Sequence, residues 1–514
     1  MAETPAGAPP EDQGLLPIEW LVERILDTVR ELPPMPQPLM DTLGLACAED
    51  VHSPIDLPRF DNSAMDGYAV VHADVADASE ETPVALPVIG EIGAGQANLF
   101  AMSPGSAVKI MTGAPVPAGC DAVVPYEWTD RGVARVEITR APKLGGSIRR
   151  AGEDVREGDL LISRDTVLGP RHLGLLANVG RATVLTRPRP RVVVISTGSE
   201  LRDAGTELSR DAIYDGNSYL IAAAARAAGA IAYRVGIVPD EPRAFLDALS
   251  DQLVRADLVV TSGGVSQGDF DVVKEALKPL GTVWFGKIAM QPGKPQGFGV
   301  VGEDETPIFT LPGNPVSSYI SFETFVLPAL RKMMGKQPYQ RPVATMRLTR
   351  GISSPIARRQ YVRATYDVRS VTPVGGYGSH LVGDLAQANA LIVVPEDVTS
   401  VAAGEQVEVL NVDRLAYRGV QEAEGAQPRV VDGGTLNDHW QDVIDEHGIE
   451  LTREFLNSEW EQVILAQGCT SRSEYFNAPR SGRGLRLDRR GRADVWKAVE
   501  LLTQRLSQRN ERTY

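Results

Sequence analysis

The spacing of apolar positions changes several times along the chain, and each change marks an expected element. Trp20, Leu21, Ile25, Leu26 and Val29 recur at helical spacing within residues 17–32, which predicts an amphipathic helix. The run Leu32-Pro-Pro-Met-Pro-Gln-Pro then breaks it, and structure resumes within residues 43–51. Between Pro83 and Val136, short β-rich runs alternate with Gly and Pro, as in a small β-rich module. Pro170 starts a short helix over residues 168–177.

After Pro188 and Pro190 the pattern changes character. Residues 191–196 form an apolar run ending in the small-residue turn Ser196-Thr-Gly-Ser-Glu200. Asp215-Gly-Asn-Ser218 offers polar caps for a helix that ends at Gly229. Residues 231–238 read as a strand, 241–256 as a helix, and 258–261 as a strand buried on both faces. Asp269 then caps a helix carrying Val272, Val273, Ala276 and Leu277, and further β-like segments lie around Trp284, Phe285 and Ile288 and at residues 308–311. This βαβα alternation predicts a doubly wound, mostly parallel sheet with helices on both faces. Residues 342–417 are again β-rich. A Gly/Ala/Glu/Gln linker follows, then helices over 436–444 and 458–465 and a last helix with the stripe Val495, Val499, Leu502 and Leu506.

Size makes this a multidomain chain: 514 residues exceed what one core serves. Its formal charge of −15 argues against broad nucleic-acid or anionic-membrane binding, so an anionic ligand needs a local basic pocket or a bridging cation. Cys47, Cys120 and Cys469 lie far apart without metal-binding spacing and read as reduced and structural. The first residues have neither a basic start nor an apolar run, no stretch reaches the ~18 apolar residues of a membrane span, and the cytoplasm is the expected compartment.

In parallel sheets ligands bind beyond the carboxyl ends of the strands. The unusual residues fall there: the turn to Glu200, Asp240, residues 261–271, residues 287–294, and Leu311-Pro-Gly-Asn-Pro-Val-Ser-Ser318. Ser262, Gly263 and Gly264 let backbone N–H groups approach a ligand at a helix N-terminus. Glu200, Asp240, Asp269 and Asp271 offer oxygen ligands suited to Mg²⁺, and Lys287 and Lys294 neutralise remaining anionic charge. The competing reading makes these acids helix caps and solvated turn residues. In Phe60-Asp-Asn-Ser-Ala-Met-Asp-Gly-Tyr-Ala-Val70 the plain reading is a turn entering a β-domain, and the sharper one has Asp66 reaching a ligand. Lys109 and Thr112 are likewise either anion contacts or an ordinary turn. Neither a dinucleotide fingerprint nor a P-loop is present.

Six motifs in order then carry a resemblance: Asn62-Ser-Ala-Met-Asp-Gly-Tyr-Ala69, Ile110-Met-Thr-Gly-Ala-Pro115, Ser196-Thr-Gly-Ser-Glu-Leu201, Ser262-Gly-Gly-Val-Ser-Gln-Gly-Asp269, Pro292-Gly-Lys-Pro295 and Leu311-Pro-Gly-Asn-Pro-Val-Ser317. Residues 15–417 resemble the MoeA/gephyrin E-domain family, the molybdopterin molybdenumtransferases. The resemblance implies Mg²⁺-dependent hydrolysis of adenylylated molybdopterin (molybdopterin-AMP), insertion of molybdate at the dithiolene, and release of AMP. It implies a homodimer whose site lies between the α/β domain of one subunit and the β lobe of the other.

Asp66, Thr112, Glu200, Asp240, Asp271 and Lys287 are then the catalytic set, with Glu200, Asp240 and Asp271 holding the metal. Ser262, Gly263, Gly264, Pro312, Gly313, Asn314 and Pro315 would bind substrate, and Lys294, Ser317, Arg358 and Ser379 would bind molybdate. The implied domains are 15–52 with 146–187 for dimerisation, a β-rich lobe over 53–145, the α/β domain over 188–337 and a small β-barrel over 338–418. A linker over 419–430 and a helical extension over 431–514 complete the chain. Many relatives carry a second lysine where Gln291 stands, which removes one positive charge from the anion pocket. A gephyrin-like scaffold binding protein partners, with reduced or no activity, is the alternative. The extension holds a basic run, 480–492, read as a solvated loop or as a docking element for an acidic protein or nucleic acid.

Overall fold

The helix expected near the start forms as α1 (Ile18–Thr28) and stops where Val29 turns extended, ahead of the proline run. Its apolar face, Ile18, Leu21, Val22 and Ile25, is buried in the core of the central sheet beside Val192, Val194, Phe309 and Phe325. Burial of side chains this size stabilises by about 1.5–3 kcal/mol each. Trp20 meets Trp284 edge-on, with ring centroids 5.0 Å apart. By packing, α1 contributes its apolar face to the core of the central sheet. The computed structural model describes residues 14–95, 101–263, 272–367, 369–412, 429–430, 433–449, 451–460, 463, 475, 489–508 and 511–512.

The β-rich lobe is a five-stranded sheet of β1 (Gly67–Val70), β2 (Val84–Ile92), β3 (Ala107–Ile110), β4 (Ala122–Pro125) and β5 (Arg135–Ile138), in the order β4-β1-β3-β2-β5. Around it the chain leaves and returns. Met35–Pro38 pairs with Thr183–Thr186, Val51–His52 pairs with Leu160–Ile162, and α2 (Pro170–Asn178) covers a small core of Cys47, Val51, Leu173 and Leu176. Cys47 and Cys120 are free thiols, and burial raises the pKa of each.

The central sheet contains β6 (Arg191–Ser196), β7 (Ile231–Arg234), β8 (Leu258–Ser262), β9 (Val283–Lys287), β11 (Pro295–Val301) and β12 (Thr306–Leu311), with β10 (Met290–Gln291) reserved for the neighbouring barrel. The order is β7-β6-β8-β12-β11-β9, parallel from β7 to β12 and antiparallel at β11 and β9. The antiparallel edge arises because β9, β11 and β12 are joined by short turns with no room for a crossover helix. Val192–Val194, Val259 and Val260 are buried on both faces. Helices α3 (Gly216–Ala228), α4 (Pro242–Leu253), α5 (Val272–Leu277), α6 (Pro315–Ser321) and α7 (Leu327–Met333) cover the sheet, with a π-helical turn at Phe322–Val326. The Asp215 carboxylate accepts from Ser218 N–H at 3.0 Å, so the expected cap starts α3, and Gly229 ends it.

The second β region comprises β13 (Val343–Leu348), β14 (Arg359–Tyr366), β15 (Ser370–Pro373), β16 (Ala390–Val394) and β17 (Gln406–Asn411), with α8 (Val382–Gln387) preceding β16. The order β14-β15-β13-β17-β16 closes through β14–β16 into a five-stranded barrel, and β10 pairs in parallel with β14. Gln291 thus stands opposite Gln360, on the seam between α/β domain and barrel.

The chain divides into two compact units between Val412 and Asp413. The second contains α9 (Gly433–His447), α10 (Arg453–Glu459) and α11 (Arg489–Gln508), with Trp440, Val443, Leu456, Trp460, Val495, Val499, Leu502 and Leu506 buried. The basic run was expected to be a loop throughout, but Arg489 to Arg492 belong to the first turn of α11. Arg492 donates to the Tyr475 carbonyl at 2.9 Å. The rest of that run, most of the linker and Cys469 lie outside the described residues. Among the described residues no helix is long and apolar enough to cross a membrane.

Candidate active site

Three short segments meet beyond the carboxyl ends of the parallel strands. Asn217, in the first turn of α3, donates through its side-chain amide to Ser262 Oγ at 2.8 Å and to the Gly313 carbonyl at 2.6 Å. It thereby joins the turn after β8 to the turn after β12. Gly263 N–H, expected to face a ligand, instead donates to the Leu311 carbonyl at 3.1 Å. Strand β8 runs one residue further than the apolar pattern suggested, to Ser262 opposite Leu311, and the pairing with β12 consumes that donor. Gly264, Asp269 and Asp271 lie outside the described residues.

On the next strand end, the Asp240 carboxylate accepts from Ser199 N–H at 2.8 Å. The Glu200 carboxylate folds over Gly198, where a Cβ would lie 2.9 Å from both of its oxygens. Both acids are exposed. They occupy neighbouring turns and offer oxygen only, a donor set that suits a hard, partly hydrated cation such as Mg²⁺. No group of three or more His, Cys, Asp or Glu side chains is arranged to hold a metal among the described residues.

A pocket of about 310 Å³ opens between this edge and the barrel. It is lined by Gln291, Pro292, Gly293, Lys294 and Pro295 from the β10–β11 turn, Pro312, Gly313, Asn314 and Ser317 from the start of α6, and Tyr377 and Ser379 from the barrel. Asn314 Nδ2 donates to Ser379 Oγ at 2.9 Å, and Val316 N–H donates to the Ser379 carbonyl at 3.1 Å. The pocket therefore offers one ammonium and several oriented hydroxyl and amide groups, the equipment for a small oxyanion. Lys294, Ser317 and Ser379 come together as anticipated. Arg358, named with them, is half-buried just ahead of β14 and does not line the pocket. Lys287, at the end of β9, is exposed, and its carbonyl accepts from Leu16 N–H at 2.9 Å.

Asp66 and Thr112 also come together, on the β lobe. Thr112 N–H and Oγ1–H both donate to Asp66 Oδ1, at 2.7 and 2.8 Å. The backbone N–H, then the hydroxyl, hold the Asp66 carboxyl below the usual aspartate range. No hydrogen bond or ion pair among the described residues links this pair to the strand-end turns of the same chain.

Sequence models of three protein regions match this chain: the MoeA N-terminal region (domain I and II) over residues 16–180, a "probable molybdopterin binding domain" over 193–332, and the MoeA C-terminal region (domain IV) over 345–412. The chain belongs to the MoeA family of molybdopterin molybdenumtransferases. It is 45% identical over 393 residues to molybdopterin molybdenumtransferase 2 of Mycobacterium tuberculosis, covering 75% of this chain and 96% of that one. The Haemophilus influenzae molybdopterin molybdenumtransferase is 37% identical, with 72% and 92% covered. Among solved structures, the molybdopterin biosynthesis MoeA protein from Pyrococcus horikosii is 33% identical with a TM-score of 0.68, covering 77% of this chain and 99% of that one. The matched MoeA regions end at residue 412, where the first compact unit ends.

Two residues of the site in this MoeA chain, the linking residue Asn217 and the pocket residue Tyr377, are not singled out by the sequence. Asn217 sat inside a motif read only as a helix cap, and Tyr377 inside a Gly-rich turn. The usable signal for Asn217 was a second polar residue beside an already sufficient cap.

Proposed function

We propose that this chain inserts molybdate into adenylylated molybdopterin with release of AMP, in a Mg²⁺-dependent reaction. The observation that carries the reading is the pocket of Lys294, Ser317, Asn314 and Ser379 beside the strand-end turns. Within it Lys294 supplies charge to the molybdate oxyanion, and Ser317 and Ser379 supply oriented donors. The turns joined by Asn217 hold the pterin phosphate and the pyrophosphate nearby. Cleavage of the phosphoanhydride bond consumes one water and separates AMP from the pterin phosphate, while formation of the two Mo–S bonds displaces molybdate oxygen, which leaves as water with the two thiol protons. Glu200, Asp240 and Asp271 would hold the cation, which would neutralise charge on the pyrophosphate oxygens when bound.

Asp66 and Thr112 enter this reading from a second copy of the chain, since within one chain nothing described links them to the acids. Met35, Met40, Leu43 and Leu160 are exposed apolar side chains around the lobe and suit a homodimer contact. Lys287 completes the charge around the phosphates. The curated relatives carry enzyme names, and no feature of the described residues favours the scaffold alternative.

The test is direct. Purified protein, supplied with adenylylated molybdopterin, molybdate and Mg²⁺, is expected to release AMP and yield molybdenum-loaded cofactor, and Asp271→Asn is expected to abolish both while the melting transition survives. Absence of AMP release by the wild-type chain would overturn the proposal.

A further inference from the structure

The Arg363 side chain, on β14, is only 3% exposed. A guanidinium that deep ordinarily meets a carboxylate within hydrogen-bond distance. Here the Asp384 carboxylate stays 3.8 Å away, and Nε has no acceptor. The remaining donors go to main chain: Nη1 to the Gly378 carbonyl at 3.1 Å, and Nη2 to the Gly376 carbonyl. These two carbonyls flank Tyr377, and Ser379 follows directly. The same turn is tied by Val374 N–H to the Arg363 carbonyl at 2.8 Å and by Gly376 N–H to Asp384 Oδ2 at 3.3 Å. Gly375 completes it at φ +61°, where a Cβ would collide with the Asp384 carboxylate.

Two carbonyls turned inward toward one point repel each other unless a donor lies between them. A planar fork reaches both at once, whereas an ammonium on a flexible stem offers no such preset geometry. Ser379 is thus held from two sides: by Arg363 through the backbone before it, and by Asn314 and Val316 across the pocket.

We propose that Arg363 is a positioning residue for the oxyanion pocket, fixing the 375–379 turn so that Tyr377 and Ser379 stay in register with Lys294 and Ser317. This rests on the reading of that pocket as the molybdate site. The residue acts through the turn and makes no contact with the anion.

The full chain carries the test, as wild type, Arg363→Met, Arg363→Lys and Ser379→Ala. Arg363→Met is expected to raise the KM for molybdate roughly tenfold with kcat at saturating molybdate little changed, because ground-state positioning is lost. Arg363→Lys should recover only part of that, and Arg363→Met combined with Ser379→Ala should be no weaker than Ser379→Ala alone. Amide hydrogen exchange in residues 374–381 should accelerate in Arg363→Met, in a measurement independent of activity. An unchanged KM in both Arg363 variants, or unchanged exchange in this turn, overturns the proposal. If Arg363→Met fails to fold, the lysine variant decides alone. A wild-type chain inactive in insertion would remove the molybdate reading, and the exchange rates would then decide on Arg363.

Discussion

The Asn217 amide donates to Ser262 Oγ at 2.8 Å, joining the first turn of α3 to the end of β8. The same amide donates to the Gly313 carbonyl, so one side chain sets the distance between two strand-end turns.

Asn217→Ala should therefore cost about 1–2 kcal/mol of stability, the usual net worth of two such bonds, in urea denaturation. Molybdenum insertion should fall more than the stability does, because the turns separate. Asn217→Asp should be at least as damaging, since a carboxylate cannot donate to Gly313. Full turnover in both variants would show that the turns hold without this link.

Asp240→Asn keeps an oxygen that can accept from Ser199 N–H, so the turn should persist. One negative charge beside Glu200 is lost. A Mg²⁺ titration of insertion activity should shift to higher concentration by roughly tenfold, with stability changed by less than about 0.5 kcal/mol. An unshifted titration would remove Asp240 from the cation site.

The Asp66–Thr112 pair makes a pH prediction. The Asp66 carboxyl lies below its usual range when folded, so its contribution is present above the unfolded value near 4 and is lost as pH falls through the lower folded value. Thr112→Val keeps the N–H bond and removes the hydroxyl. An NMR titration of the Asp66 carboxyl carbon should show its pKa rising toward the ordinary range in that variant. A titration matching wild type would mean that the hydroxyl contributes nothing.

The two units have separate cores, so they should lose stability separately. Trp440→Ala, at a position with no exposed surface, should cost the helical unit about 3–5 kcal/mol. Calorimetry should show the transition of the larger unit unmoved, and a chain ending at residue 418 should keep both that transition and insertion activity. A single shared transition would overturn this.

Much of the α/β domain was legible because its signals are local. The Asp215 cap, the buried valine runs and the Gly229 helix end each depend on neighbours in sequence. Lys294, Ser317 and Ser379 were legible through resemblance to a family, since no spacing rule brings a β10–β11 turn, a helix start and a barrel turn together. Arg363 was not legible, because an arginine between apolar strand positions looks the same in a sequence whether it faces water or two carbonyls.

By itself, the sequence determined the element order, the strand ends at which chemistry gathers, and the separate helical extension. These follow from hydrophobic period and turn residues, which act over a few positions. Only the tertiary structure decided that α1 packs into the central core, that Gly263 N–H belongs to the ladder, and that Arg363 holds the turn before Ser379. Each of these is a contest between partners distant in sequence, and the winner is set by which backbone groups the closed barrel and the sheet bring within 3 Å or so of one another.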